Sequence, residues 1–180
     1  MLPQAKWQAQ RWTPVSDDSE FVPLVTELAE RCEARGLRVV TAESCTGGWI
    51  AKVLTDRAGS SGWFDRGLVT YSNTAKQELL GVDAALIEDP GAVSREVAEA
   101  MARGALAHSG ADLAVAVSGI AGPEGGSEDK PVGTVWFAWA RRDELRSAVA
   151  CFEGDREAVR RATVKLALRG LVDSAGNPRE

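Results

Sequence analysis

The chain has 180 residues, a net charge of −5 and 44% hydrophobic residues. This length predicts one compact domain, because domains usually contain about 100–200 residues. The excess of acidic over basic side chains argues against a nucleic-acid-binding protein, since such proteins neutralise phosphates with a basic surface.

Helical and strand patterns alternate along the first half of the chain. Residues 1–18 are polar and are interpreted as an amino-terminal extension that ends where the first helix begins. Apolar residues at helical spacing and short β-branched runs then follow one another. They predict a helix over 21–36, a strand over 37–42, a helix over 49–54, a strand over 67–71 and a helix over 73–80.

The second half continues the alternation and then adds a hairpin. Ser94 and Asp155 are predicted to cap the two helices of this half. Val159, Ala162, Leu166 and Leu168 or Gly170 of the last helix are expected to face inward. The remaining elements are a helix ending near 108, a strand over 112–118, a glycine-rich loop over 119–131, and strands over 133–140 and 146–152.

Alternation followed by a hairpin indicates an α/β fold. The sheet should be mixed, with helices on both faces, which is a three-layer α/β/α sandwich. We expect one domain over residues 19–172 and a frayed tail over 173–180.

Cysteine and histidine content limits metal chemistry. Cys32, Cys45 and Cys151 are scattered and odd in number, which favours reduced thiols over disulfides. With the single histidine, His108, they provide no zinc-ligand spacing, so we expect no metal. No window approaches the roughly 18 apolar residues of a membrane span, and no signal peptide is recognisable, so neither a membrane nor export is expected.

Ser44 lies where the first strand gives way to the second helix. A side chain can be exposed there beside outward-pointing backbone amides, which suits a nucleophile next to an oxyanion hole. Ser44 or Thr46 could instead be only the N-cap of that helix. Gly47 and Gly48 favour a functional turn, because glycine near a helix start weakens the helix unless the backbone must approach another group.

Cys45 is the alternative nucleophile. A helix N-terminus can lower the pKa of a thiol and make it more reactive. Successive residues leaving a strand point to opposite sides, so only one of Ser44 and Cys45 faces a given pocket. The residues alone leave this choice open.

A serine nucleophile in this chain needs a base other than histidine. His108 ends an apolar helix and is interpreted as its C-terminal cap. Tyr71 and Lys76, at the end of the second strand and in the first turn of its helix, are the candidate bases. A cation near a helix N-terminus is disfavoured, which helps to keep an amine neutral. The alternative is a solvated lysine and a packed tyrosine.

The segment after the strand at 112–118 is unusually rich in glycine. Its successive amides could hold a phosphate or a carboxylate, and a merely flexible loop is the alternative. The candidate residues are Ser118, Gly119, Gly122, Gly125 and Gly126.

Six motifs occur in order between about residue 20 and residue 170. They are TAESCTGG at 41–48, VTYSN at 69–73 with Lys76, GAVS at 91–94, SGIAGP at 118–123 with two further glycines, KPVGTV at 130–135 and GDR at 154–156. Together they resemble the CinA carboxy-terminal domain family of nicotinamide-nucleotide amidohydrolases (PncC).

This resemblance implies an α/β/α sandwich that hydrolyses the carboxamide of nicotinamide mononucleotide in pyridine-nucleotide recycling, without metal or cofactor. It implies that Ser44 is the nucleophile, with Tyr71 and Lys76 beside it. Backbone amides near Thr46 and Gly47 are expected to hold the oxyanion. The alternative function is a non-catalytic nucleotide-sensing or interaction module of the same fold.

The expected partner is a small molecule, with neither nucleic acid nor membrane involved. Lys130 or Arg156 is expected to balance the substrate phosphate. We also expect a homo-oligomer, with a dimer favoured, in the cytoplasm. The expected substrate-binding residues are Cys45, Thr46, Gly47, Gly48, Asn73, Ser118, Gly119, Gly122, Gly125, Gly126, Lys130 and Arg156.

Overall fold

Five strands form one mixed sheet in the computed structural model, which describes residues 17–142 and 144–176. The predicted extension therefore lies almost entirely outside the described residues, as do Asp143 and residues 177–180. The strands are Val39–Glu43 (β1), Phe64–Val69 (β2), Leu113–Gly119 (β3), Thr134–Arg141 (β4) and Glu144–Cys151 (β5).

Helices cover both faces of the sheet. Two short turns of 3-10 helix lie at Ser19–Phe21 and Ser60–Gly62, and a π-helical turn lies at Ile87–Gly91. The α-helices are Val22–Arg35 (α1), Trp49–Thr55 (α2), Asn73–Leu80 (α3), Ala84–Leu86 (α4), Arg95–Ala107 (α5) and Arg156–Ala175 (α6).

The strand order is β2-β1-β3-β4-β5. β1 is parallel to both β2 and β3, whereas β3, β4 and β5 are antiparallel to their neighbours. The predicted mixed sheet and three-layer sandwich are thus confirmed. Because the chain first places β2 on one side of β1 and then β3 on the other, the carboxyl ends of these strands form a topological switch point, where α/β proteins commonly bind ligands.

Side chains of the central strands pack alternately into two hydrophobic clusters, one on each face of the sheet. Val115 and Val117 of β3 belong to the cluster under α1, α2 and α6, whereas Ala114 and Ala116 belong to the cluster under α5. We call these two sides of the sheet the α6 face and the α5 face. This alternation decides on which side each residue that leaves a strand projects.

Helix ends agree with the local sequence signals. Gly36 adopts the left-handed conformation (φ 63°) after α1, while the Ser94 and Asp155 side chains accept hydrogen bonds from the first turns of α5 and α6. His108 follows α5 and its Nδ1 lies 2.8 Å from the Gly104 carbonyl, so the capping interpretation is confirmed.

Two predicted strands are shifted in the structure. β1 begins at Val39, because the Leu37 amide still closes α1 by donating to the Cys32 carbonyl (2.9 Å). β2 occupies Phe64–Val69, upstream of the predicted 67–71, because it pairs with β1 from Val39 onward despite its charged residues. An edge strand tolerates such side chains, which hides it from a hydrophobic pattern.

The inward face of α6 also differs from the prediction. Val159, Leu168 and Gly170 are buried as expected, but Ala162 and Leu166 are only partly buried. Thr163, Ala167 and other side chains fill the core instead, and the helix continues to Ala175. The Gly170 backbone packs against the Trp139 ring, which leaves no room for a side chain there.

No helix within residues 17–142 and 144–176 is long and apolar enough to cross a membrane.

Candidate active site

Ser44 and Lys76 meet at the carboxyl end of β1. The Ser44 amide donates to the Val117 carbonyl (3.1 Å), so β1 remains paired with β3 up to this residue. Lys76 lies in the first turn of α3, whose N-terminus is capped by the Ser72 hydroxyl. Its Nζ lies 3.1 Å from Ser44 Oγ and donates to the Thr70 carbonyl at 2.9 Å.

Lys76 is buried, with 2% of its surface exposed. The alternative of a solvated lysine is therefore wrong. Burial lowers the pKa of Lys76, because the ammonium form loses its hydration, and the nearby Cys45 opposes this shift. A buried neutral amine has a lone pair that can accept the Ser44 proton, which is the geometry of a serine–lysine pair.

Glu43 organises the turn that carries Ser44, and sequence reasoning missed this role. Its carboxylate is fully buried and accepts hydrogen bonds from the amides of Gly48, Ile50 and Ala51 at 2.8–3.0 Å. The carboxylate therefore caps α2, and a negative charge is favourable at that helix end. The signal was present in the sequence as an acidic residue just before a glycine turn and a helix.

The capping alternative for Ser44 and Thr46 is consequently wrong. Gly48 is the N-cap residue of α2, and the N-cap position provides no side-chain hydrogen bond to the helix. The Thr46 hydroxyl donates to Glu43 Oε2 (2.7 Å), whereas Ser44 Oγ contacts Lys76. Gly47 and Gly48 have φ values of 61° and 95°, a conformation that favours glycine and lets the chain turn back toward Glu43.

The amides available for an oxyanion differ from those expected. The Gly47 amide donates to the Ser44 carbonyl (3.1 Å), so it already has an acceptor. The amides of Cys45 and Thr46 have no backbone acceptor among residues 17–142 and 144–176. Of the expected pair, only the Thr46 amide is without a backbone acceptor in the described residues, and the Cys45 amide is the other free one beside Ser44.

Cys45 points away from Ser44. The residue is 5% exposed and belongs to the hydrophobic cluster of the α6 face. Burial raises the pKa of Cys45 to about 11, which opposes formation of a thiolate. The Cys45 side chain thus packs in the core, on the side of the sheet opposite to Ser44 Oγ.

Arg160 of α6 holds the same turn from the other side and was not predicted. Its Nε and Nη2 donate to the carbonyls of Cys45 (3.1 Å) and Thr46 (2.6 Å). The guanidinium also lies 5.3 Å from the centre of the Trp49 ring, a cation–π distance. Arg160 follows the predicted Arg156 by one helical turn, so helical periodicity was the available signal.

Arg156 bridges two segments across the end of β1. Its Nη2 donates to the Tyr71 hydroxyl (2.8 Å) and its Nη1 to the Gly122 carbonyl (2.7 Å). Tyr71 follows β2 and Gly122 follows β3, and β1 lies between these strands. Tyr71 is 59% exposed and its hydroxyl makes no hydrogen bond to Ser44, so the structure assembles Lys76, not Tyr71, with the serine.

A cleft of about 560 Å³ opens beside this turn. Its acidic residues are engaged by other cations, Asp18 by Lys52 (2.7 Å) and Glu157 by Arg161 (3.2 Å). Arg156 and Arg160 bond only to neutral oxygens among the described residues, so their charges are not balanced by a carboxylate there. The lining residues are Asp18, Gly47, Gly48, Trp49, Lys52, Arg156, Glu157 and Arg160.

The glycine-rich segment after β3 is a packed loop. A Cβ at Gly119 would lie 2.6 Å from a Val135 methyl group, and one at Gly122 would lie 2.6 Å from a Val132 methyl group. A Cβ at Gly126 would lie 2.8 Å from the Val132 amide, and Gly125 has a φ of 92°. Close packing and turn geometry therefore explain these glycines without a bound anion.

Three predicted site residues have other partners or positions. The Ser118 hydroxyl donates to the Ala92 carbonyl (2.7 Å) on the α5 face. Lys130 Nζ donates to the Pro90 carbonyl (2.8 Å), and Asn73 is exposed at the start of α3. Neither the Lys130 nor the Asn73 side chain hydrogen-bonds to Ser44 or Lys76. In the described residues, no group of three or more His, Cys, Asp or Glu is placed to hold a metal ion.

Comparison with known proteins yields one family. Residues 22–175 match the model of the CinA C-terminal domain. The nicotinamide-nucleotide amidohydrolase PncC of Escherichia coli K12 is 56% identical over 155 residues, which cover 86% of this chain and 94% of that protein. The protein of the same name from Pseudomonas putida is 57% identical over 149 residues, or 83% of this chain and 93% of that protein.

A solved structure agrees with the fold. The competence damage-inducible protein A (ComA) from Klebsiella pneumoniae superposes with a TM-score of 0.81 at 45% identity, over 84% of this chain and 94% of that chain. The similarity therefore extends over nearly all the described elements.

The placement of the thiols predicts their reactivity. In the native protein, 5,5′-dithiobis(2-nitrobenzoate) should modify the exposed Cys151, whereas Cys32 and Cys45 should react only after unfolding. Burial raises the pKa of Cys32 to about 12 and that of Cys45 to about 11, so little thiolate is present near neutral pH. The measurement is thionitrobenzoate release with and without guanidinium. Rapid modification of Cys45 in the folded protein would contradict this arrangement.

Proposed function

This chain belongs to the CinA C-terminal domain family, and we propose that it hydrolyses the carboxamide of nicotinamide mononucleotide to nicotinate mononucleotide and ammonia. The observation that carries the proposal is the contact between buried Lys76 and Ser44 Oγ at the switch point of the sheet. The names of the amidohydrolase relatives support the choice of substrate. The reaction would return a pyridine-nucleotide breakdown product to NAD synthesis.

Acylation begins when Ser44 Oγ attacks the carboxamide carbon. Lys76 Nζ, neutral at that moment, accepts the hydroxyl proton across the 3.1 Å contact. The carbonyl oxygen becomes an oxyanion, for which the Cys45 and Thr46 amides are the donors nearest in sequence to the nucleophile. Lys76 then gives its proton to the amide nitrogen, the carbon–nitrogen bond breaks, and ammonia leaves an ester on Ser44.

Deacylation reverses these roles. Water attacks the ester carbon while Lys76 accepts a water proton, and the tetrahedral intermediate then expels Ser44 Oγ, which regains a proton from Lys76. The Thr70 carbonyl holds Nζ in place (2.9 Å) through both half-reactions. These reaction steps need no oxidant or reductant, because hydrolysis transfers only protons and an acyl group.

The substrate phosphate is assigned to the cleft at the α2 and α6 N-termini. Arg156 and Arg160 lack carboxylate partners among the described residues and lie next to the turn that follows Ser44. Guanidinium groups bind phosphate oxygens through charge-assisted hydrogen bonds. Lys130, which bonds to the Pro90 carbonyl, is not assigned to the phosphate.

Ser44→Ala should abolish ammonia release from nicotinamide mononucleotide while Cys45→Ala retains most of it. The reason is that Ser44 contacts the buried amine, whereas the Cys45 thiol lies in the core. The measurement is coupled ammonia detection, with free nicotinamide as a control substrate and circular dichroism as a check of folding. An inactive Cys45→Ala and an active Ser44→Ala would reverse the assignment. Binding without turnover by the wild-type protein would instead favour the non-catalytic nucleotide module.

The protonation of Lys76 should determine how kcat/KM depends on pH. Its lowered pKa means that the neutral amine forms at lower pH than in an exposed lysine, so kcat/KM should rise with pH and level off above that lowered pKa. Lys76→Ala should reduce kcat by about 100-fold or more with little change in affinity measured by calorimetry. Lys76→Arg should not recover turnover, because a guanidinium stays protonated. Substantial activity of Lys76→Arg would remove Lys76 as the base and leave Tyr71.

Arg156→Gln should weaken recognition of the phosphate selectively. We expect kcat/KM for nicotinamide mononucleotide to fall about 10-fold or more, because a charged hydrogen bond is lost. The value for nicotinamide riboside, which lacks the phosphate, should change little. Arg161→Gln is the matched control, since the charge of Arg161 is already paired with Glu20 and Glu157. Equal losses for both substrates would show that Arg156 acts only by holding Tyr71 and Gly122.

A further inference from the structure

Three hydroxyl side chains stand side by side at the carboxyl ends of the parallel strands. Glu43 is paired with Val69 of β2 and with Val117 of β3. The next residues along the three strands are therefore lateral neighbours, at the spacing of about 4.8 Å between strands. These neighbours are Thr70, Ser44 and Ser118.

All three side chains project to the α5 face. The residues two positions earlier, Leu68, Ala42 and Ala116, pack in the cluster under α5, and a strand repeats its orientation every two residues. In β2, Val69 lies against Gly48 on the opposite face, which agrees with this orientation of Thr70. The Thr70 side chain therefore lies on the same side of the sheet as Ser44 Oγ and Lys76 Nζ.

Thr70 differs from its two neighbours in its hydrogen bonding. Ser44 Oγ contacts Lys76, and the Ser118 hydroxyl donates to the Ala92 carbonyl. Thr70 is fully buried, and its Oγ1 has no hydrogen-bond partner among the described residues. Burial of a hydroxyl without a partner is unfavourable, and valine has the same shape without that cost. A threonine here is explained if its hydroxyl serves a molecule that enters the site.

We propose that the Thr70 hydroxyl is a further catalytic residue, which hydrogen-bonds first to the departing ammonia and then to the attacking water. The inference rests on the proposed serine–lysine function. Lys76 Nζ is anchored on the Thr70 carbonyl, so the residue that carries this hydroxyl also holds the amine that exchanges protons with both molecules. Ammonia leaves from, and water attacks from, the same side of the acyl carbon, so one hydroxyl serves both steps.

The chemistry leaves Thr70 unchanged. In deacylation the water oxygen bonds to the acyl carbon, one water proton passes to Lys76 Nζ, and the bond between the carbon and Ser44 Oγ breaks. Ser44 Oγ recovers the proton from Lys76. Thr70 Oγ1 accepts a hydrogen bond from the second water hydrogen, which directs an oxygen lone pair at the carbon.

The test compares Thr70→Val, which removes the hydroxyl, with Thr70→Ser, which keeps it. p-Nitrophenyl acetate separates the two half-reactions, because p-nitrophenolate leaves without a proton and the acetyl ester on Ser44 then needs water. Thr70→Val should show a p-nitrophenolate burst at about the wild-type rate and a steady-state rate reduced about 10-fold. Its kcat for ammonia release from nicotinamide mononucleotide should fall similarly with KM unchanged, and Thr70→Ser should recover most of both rates.

Thermal unfolding distinguishes catalysis from a structural role. Thr70→Val should unfold at or above the wild-type temperature, because the lost hydroxyl has no partner in the described structure. Thr163→Val is the matched control, since Thr163 is also fully buried but its hydroxyl donates to the Val159 carbonyl (2.7 Å) in α6. This control should keep wild-type rates in both assays.

Each other outcome has a separate meaning. A Thr70→Val protein with the wild-type steady-state rate overturns the proposal, as does one that unfolds earlier and slows the burst and the steady state equally. A wild-type protein that shows the ester burst but releases no ammonia from nicotinamide mononucleotide refutes the proposed substrate, while Thr70 is still judged on the ester. A wild-type protein without a burst overturns both Ser44 as nucleophile and the role of Thr70.

Discussion

The buried carboxylate of Glu43 is the interaction on which the arrangement of the site depends. The carboxylate accepts hydrogen bonds from three amides at the start of α2 and from the hydroxyls of Thr41 and Thr46. It therefore joins the strand, the turn and the helix in one network. A buried carboxylate is tolerable only when its oxygens are satisfied in this way. With the turn held to Glu43, alternation sends the Ser44 side chain to the α5 face and the Cys45 side chain into the opposite cluster.

The two faces of the sheet then carry different charged groups of the candidate site. On the α5 face, burial of Lys76 lowers its pKa, and the Thr70 carbonyl directs its amine at Ser44. On the α6 face, Arg156 and Arg160 hydrogen-bond only to neutral oxygens of the surrounding loops in the described structure. The buried amine of Lys76 and the guanidinium groups of Arg156 and Arg160 thus lie on opposite sides of the turn that carries Ser44.

Most of the helices and strands could be predicted from short-range patterns in the sequence. Periodicity, the caps at Ser94 and Asp155 and the stop at Gly36 placed the helices, and alternation with a final hairpin indicated the mixed sheet. The error in the second strand arises because strand pairing overrides local preference. β2 extends through the charged Asp65 and Arg66 because β1 provides its hydrogen bonds, a partner that is distant in sequence.

By itself, the sequence determined the fold class, the strand-to-helix position of Ser44 and the nearby candidates Tyr71 and Lys76, because these depend on short-range periodicity and recognisable motifs. Only the tertiary structure decided between them. Burial and strand register bring Lys76 to Ser44, send Cys45 into the core and leave Tyr71 exposed on Arg156. Contacts of Arg160 and the burial of Thr70 were likewise invisible, since desolvation and long-range hydrogen bonding arise only when segments far apart in the chain are packed together.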